Sequence, residues 1–188
     1  RISIPMIPAL VVGNAVSSGV ELEAKARLAE VWQASWGAVP NVDLRSNLSV
    51  FRSKVSGVDG PDNRLDQQPR ASANVGADWK LATLPLTLGT NLNWTPSGRV
   101  TLSSDAALGG TSQHVTSSTK RVVDAYALWT FNPAVQLRLS GANLLAQDSL
   151  SSSSVISTSG GANLFNTEVA QTTASTYQVW TLKLELKL

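Results

Sequence analysis

The sequence predicts an all-β fold: an antiparallel meander of about eight long strands, forming an open curved portion of a transmembrane β-barrel. Three observations predict it. The last segment, 176–188, alternates strictly, with Trp180, Leu182, Leu184, Leu186 and Leu188 on one parity and Thr181, Lys183, Glu185 and Lys187 on the other. Period two sends the two sets to opposite faces of a strand. Hydrophobic residues make up 43% of the chain, yet no run approaches the roughly 18 apolar residues of a membrane helix. Barrel strands hide their apolar face by alternation, so the neutral mean hydropathy of +0.01 is compatible with the membrane. Finally, tight and long connections alternate along the chain.

Taken in order, the first segment, 1–12, holds Pro5 and Pro8, which cannot donate to a ladder, and is expected at an edge. The second, 19–32, alternates Val20, Leu22, Ala24, Ala26 and Leu28 with Glu21, Glu23, Lys25 and Arg27. The third, 42–54, sets Val42, Leu44, Leu48 and Val50 against Asp43, Arg45, Asn47 and Ser49. The fourth, 70–81, sets Ala71, Ala73, Val75, Ala77 and Trp79 against Ser72, Asn74, Asp78 and Lys80. The fifth, 86–96, sets Leu86, Leu88, Leu92 and Trp94 against Thr87, Gly89, Asn91 and Asn93. The sixth, 120–131, is apolar on both parities, and periodicity does not orient it. The seventh, 135–147, alternates Val135, Leu137 and Leu139 with Gln136, Arg138 and Ser140. These segments have the length a tilted membrane strand needs, about 9–11 residues, rather than the globular mode of about 5–6.

Segments 82–85 and 132–134 read as tight turns, with Pro85 and Asn132-Pro133 as turn formers. Segments 57–69, 97–119 and 148–175 read as long polar loops on the other side. In a membrane barrel these are the periplasmic turns and the extracellular loops. The last strand then runs toward the periplasm, which places the C-terminus there. The six tryptophans fall near strand ends: Trp79, Trp129, Trp32 and Trp36 at the lower level, Trp94 and Trp180 at the upper, with Tyr177. Indole favours the membrane interface. Lipid is expected against Leu88, Leu92, Leu182, Leu184 and Leu186. The predicted lumen-facing charges are Glu21, Glu23, Lys25, Arg27, Asp43, Arg45, Asp78, Lys80, Arg138, Lys183, Glu185 and Lys187. Facing lipid near the midplane, an Arg or Lys would cost about 2–4 kcal/mol.

The remaining chemistry is mostly exclusion. No cysteine is present, which removes disulfide scaffolds and thiolate sites. The net charge of +2 with interspersed signs gives no nucleic-acid footprint. His114 is the only histidine, without a second ligand or a catalytic partner at a recognisable spacing. The run 57–63 lacks the spacing of a calcium loop, and no phosphate-binding glycine loop opens a helix. No cofactor, metal site or enzymatic activity is expected. Ligand contact is expected from the loops, around 59–66, 103–119 and 149–173, since loops on a rigid scaffold commonly bind.

Several strings carry a family resemblance: GNAVSSGVELE at 13–23, LDQQPR at 65–70, Leu86-Thr87-Leu88-Gly89, RVVDAY at 121–126, and LRLSGANLL at 137–145, followed by the last strand. In this order the chain resembles the C-terminal part of the β-barrel of a TonB-dependent outer-membrane receptor. The family usually ends on an aromatic residue, where this chain has Leu188. The resemblance implies that residues 1–188 supply part of a barrel of about 22 strands. Its partners would be outer-membrane lipid, further strands, a plug domain outside this chain, and TonB reached through an N-terminal part. It implies uptake of a scarce ligand, such as an iron–siderophore complex, across the bacterial outer membrane. Two other readings fit the alternation: a small eight-stranded structural or adhesive barrel, and a soluble β-sandwich binding module, in which the apolar face packs on a second sheet.

Overall fold

The computed structural model describes residues 14–31, 40–56, 64–65, 68–103, 111–159 and 164–187. Among them are β1 (Ala15–Arg27), α1 (Leu28–Val31), β2 (Asn41–Val55), β3 (Ala71–Lys80), β4 (Leu86–Thr95), β5 (Gly98–Ser103) and β6 (Thr111–Ser117). There follow β7 (Lys120–Asn132), β8 (Val135–Ala142), β9 (Ser149–Ser159), β10 (Leu164–Ala174) and β11 (Val179–Leu186). The fold is all-β and antiparallel, as the alternation predicts. The expected strand at 1–12 and the tryptophans Trp32 and Trp36 lie outside the described residues.

Seven strands make one sheet in the order β1-β2-β3-β4-β7-β8-β11. Each is a hairpin neighbour of the next, directly or around an inserted hairpin. At one end the connections are tight. Leu81 N–H donates to the Leu86 carbonyl at 3.0 Å, and Asn132 Oδ1 accepts from Ala134 N–H at 2.8 Å in the β7–β8 turn. β1 and β11 are the two edges and do not pair with each other, so the sheet is open. That removes the closed eight-stranded barrel as a description of these strands.

The segments read as the loops 97–119 and 148–175 hold four strands instead. They form a second sheet in the order β10-β9-β6-β5, in which two hairpins join through β6 and β9. Ser118 N–H donates to the Leu150 carbonyl at 2.8 Å, and Leu150 N–H to Ser118 Oγ at 2.9 Å, fixing the base of the join. Sequence periodicity misses these strands because neither face is apolar. Ser-rich composition then reads as loop, although Thr, Val and Ile favour extended backbone.

Two boundaries also move. The second predicted segment turns into the helical turn α1 after Arg27. The seventh ends at Ala142 because Asn143 takes a left-handed conformation, φ 53°, which asparagine tolerates. Asn143 N–H donates to Asp124 Oδ1 at 2.8 Å and Leu144 N–H to the Val123 carbonyl at 2.7 Å.

The register orients the strand that periodicity leaves open. Ala125, Ala127 and Trp129 lie opposite Thr90, Leu88 and Leu86, on the apolar face. Tyr126 lies opposite Gly89 and Ser140, on the polar face.

Nothing covers the apolar face within the described residues. Leu22 is 62% exposed, Leu182 67% and Trp180 61%. Val55 is the one buried hydrophobic residue among those described. The chain exposes 13902 Å² at a mass of 19.9 kDa, whereas a compact soluble protein of that mass exposes about 8,700 Å². Each strand touches mainly its ladder neighbours, and among the described residues the second sheet does not lie as a layer on the first. This is not the layered core of a sandwich.

Candidate functional site

The polar face of the seven-stranded sheet gathers all twelve predicted charges. They form linked clusters rather than isolated groups. On β1 and β2, Asn47 Nδ2 donates to Glu21 Oε1, and Lys25 Nζ meets Glu23 Oε1 at 2.6 Å. Arg27 contacts Asp43 and Glu30, both at 3.2 Å, and Lys80 of β3 closes on Asp43 at 3.2 Å. Asp43 therefore sits between two cations from neighbouring strands.

A second cluster crosses the sheet centre. Asp78 of β3 accepts from Arg45 of β2 on Oδ2 and from the Tyr126 hydroxyl of β7 on Oδ1, the latter at 2.7 Å. The Arg138 guanidinium of β8 lies 4.5 Å from the Tyr126 ring centroid, within cation–π range. Arg138 reaches Glu185 of β11 at 3.8 Å, and Lys183 reaches the same carboxylate at 3.3 Å. Among the described residues, Lys187 alone of the twelve has no side-chain partner.

Tyr126 spans two strand spacings to reach Asp78, and β4 lies between them. Gly89 makes this possible. It is opposite Asp78 on one side and Tyr126 on the other. A Cβ at Gly89 would clash with the Cε1–Cζ edge of the Tyr126 ring and lie 2.6 Å from Asp78 Oδ1. The requirement here is space for a close approach, not an unusual backbone angle. Gly76 serves Arg45 in the same way, since a Cβ there would lie 2.7 Å from Arg45 Nε. Sequence reasoning missed both Gly89 and Tyr126. The available signal was a glycine in mid-strand, which marks a site where another group passes closely.

The predicted interface residues Trp79, Trp94, Trp129 and Trp180 lie on the apolar face with Leu182, Leu184 and Leu186. Tyr177 precedes β11 and is 76% exposed. Trp129 stacks at an angle on Phe131, ring centroids 6.4 Å apart. His114 belongs to β6 rather than to a loop, with Thr101 Oγ1 at 3.0 Å from Nδ1 and Ser112 Oγ at 3.5 Å from Nε2. A hydroxyl pair bridges two strands of the second sheet, Thr116 Oγ1 to Ser152 Oγ at 2.7 Å, and Gln113 Nε2 donates to Ser153 Oγ at 3.1 Å. Where the two sheets meet, Arg70, Ser97, Arg99, Thr116 and Ser117 line an open cavity of about 360 Å³. A shallower depression of about 230 Å³ on the polar face is lined by Glu23, Lys25, Arg45, Asn47, Asn74 and Asn91. Most of the predicted contact region 59–66 lies outside the described residues.

A one-layer antiparallel sheet with one bare apolar face and one charged face is a portion of the wall of a transmembrane β-barrel. Comparison with family models then gives a match to the TonB dependent receptor-like β-barrel over residues 6–144. The chain belongs to that family. Its members are outer-membrane receptors and transporters of bacteria, not enzymes. Neither the curated proteins nor the solved structures give a match.

Proposed function

We propose that this chain forms part of the wall and outer surface of a receptor that takes up a scarce ligand, such as an iron–siderophore complex, with TonB supplying the coupling. The observation that carries the proposal is the two-faced sheet without a core. In this reading Trp79, Trp94, Trp129 and Trp180 with Leu182, Leu184 and Leu186 meet lipid or its interface. The charged clusters line the lumen, where the depression beside Lys25 and Arg45 offers hydrogen bonds to a plug domain. TonB acts through an N-terminal part of the receptor. β11 runs toward the periplasm, with the tight turns on that side.

The second sheet then stands on the extracellular side. Its base carries the cavity with Arg70 and Arg99, two cations among hydroxyls. That chemistry suits a ligand rich in anionic oxygen. The test deletes the complete gene and follows growth and labelled uptake on individual iron–siderophore, cobalamin and oligosaccharide sources. Loss of uptake of one compound, restored by the intact gene, is the expected result. Unchanged uptake of all of them with loss of surface adhesion would replace transport by an adhesive role.

A further inference from the structure

On the apolar face of the seven-stranded sheet, the only charged residues among those described are three cations. They are Arg52 and Lys54 on β2 and Arg121 on β7. Their placement follows from register. Arg52 pairs with Ser18 and Lys54 with Val16, beyond the Val20–Val50 pair, so this parity of β2 passes directly from apolar to cationic. Arg121 lies opposite Trp94, two residues before Val123. All three side chains are exposed, and none has an ion-pair partner among the described residues.

All three sit at the end of the sheet with the long connections. At the other end the same face holds Trp79, Trp129, Val135 and Leu186 and no charge among the described residues. Mixed signs would be expected of a merely solvated rim, as on the polar face. A face that is apolar, then among the described residues cationic alone at one rim, matches a bilayer whose leaflet on that side bears anionic headgroups. Arg and Lys lay their methylene stems along apolar surface and carry the charge out to the headgroup level. Indole beside Arg121 belongs at the same level.

We propose that Arg52, Lys54 and Arg121 form a binding surface for phosphorylated lipid headgroups of the outer leaflet. The proposal rests on the membrane reading above and adds the chemistry of the lipid. The partner is the headgroup of a membrane lipid, not a soluble anion, because the cations continue the apolar face rather than converge on a cavity.

The test uses the full-length receptor reconstituted in phosphatidylcholine vesicles containing a minor fraction of spin-labelled diphosphorylated lipid A. Electron spin resonance reads the preference of the protein-contacting lipid population for that lipid over spin-labelled phosphatidylcholine. A preference of about five-fold per engaged cation is expected. It should fall toward unity in the triple variant Arg52→Gln, Lys54→Gln, Arg121→Gln, and in 1 M salt, where the Debye length is about 3 Å. The variant Arg52→Lys, Arg121→Lys should keep it, and Lys183→Gln on the polar face should leave it unchanged. Retained preference in the folded triple variant would overturn the proposal, as would equal affinity for both lipids. Displacement of the lipid by inorganic phosphate at equal concentration would assign the cations to a soluble anion and overturn it too. Failure of the receptor to enter vesicles would overturn the membrane reading and the proposal together, which separates the two failures.

Discussion

The two sheets of this chain are built from the same antiparallel ladder but answer to different surroundings. In the seven-stranded sheet every strand but β7 sorts its residues by parity: mostly leucine, valine, alanine and tryptophan to one face, polar and charged residues to the other. In the four-stranded sheet β9 carries Ser151, Ser152, Ser153 and Ser154 in succession, so both faces are hydroxylic. Strand alternation records a difference in chemistry between the two faces of a sheet, not strandedness itself. Where both faces meet water, backbone pairing and β-branched residues suffice, and the sequence loses its period.

The comparison breaks most readily at the apolar face. Leu92→Arg, in central β4 between the Trp79 and Trp94 levels, should destabilise the folded protein in vesicles by about 2–4 kcal/mol. Ser152→Arg in β9 should change it little. Denaturant titration, read by the gel mobility of heat-resistant barrel, checks both. Equal effects would dissolve the distinction between the sheets.

Next in size is the crossing at Gly89. Gly89→Val forces Tyr126 off Asp78 and should cost about 1–3 kcal/mol by overpacking. Gly98→Ala, at the start of β5, meets only Ser117 Oγ, at 2.9 Å. That hydroxyl rotates away, so the change should be mild. The same denaturation series reads both. Tyr126→Phe isolates the hydrogen bond to Asp78 and should cost about 1–2 kcal/mol, unless Asp78 is replaced as well. In a double-mutant cycle with Asp78→Asn, an interaction energy near zero would mean that the bond contributes nothing. The smallest effect is expected at Lys183, whose side chain is 65% exposed. Lys183→Gln should stay below about 1 kcal/mol, as exposed ion pairs do.

Legibility follows the same division. β2, β3, β4 and the end of β11 were readable because their two parities differ in chemistry at nearly every step. All twelve predicted charges fall on one face for that reason: residues two apart share a face, and neighbours cannot. β7 could not be oriented, because Tyr126 and Leu128 are as apolar as Ala125 and Trp129. Its face is decided by pairing, with Tyr126 opposite a glycine that leaves room for a ring. The strands β5, β6, β9 and β10 were unreadable by period, since hydroxyl, amide and apolar residues mix on both faces of their sheet. The break after β8 depends on Asn143 and its bond to Asp124, a contact nineteen positions back in the chain that no local pattern announces.

In the proposed receptor the apolar face of the seven-stranded sheet meets lipid. This chain has no native cysteine, so single cysteines can be placed in it and spin-labelled once any cysteines elsewhere in the receptor are replaced. In the full-length receptor in vesicles, labels at successive positions 181–186 of β11 are compared with labels at 152–156 of β9. Relaxation by lipid-soluble oxygen and by a water-soluble nickel complex is measured at each. The account predicts period-two alternation in β11, with 182, 184 and 186 reached by oxygen and 181, 183 and 185 by nickel. It predicts nickel access throughout β9. Positions 182, 184 and 186 shielded from both reagents, as in a packed soluble core, or reached by nickel alone, would contradict it.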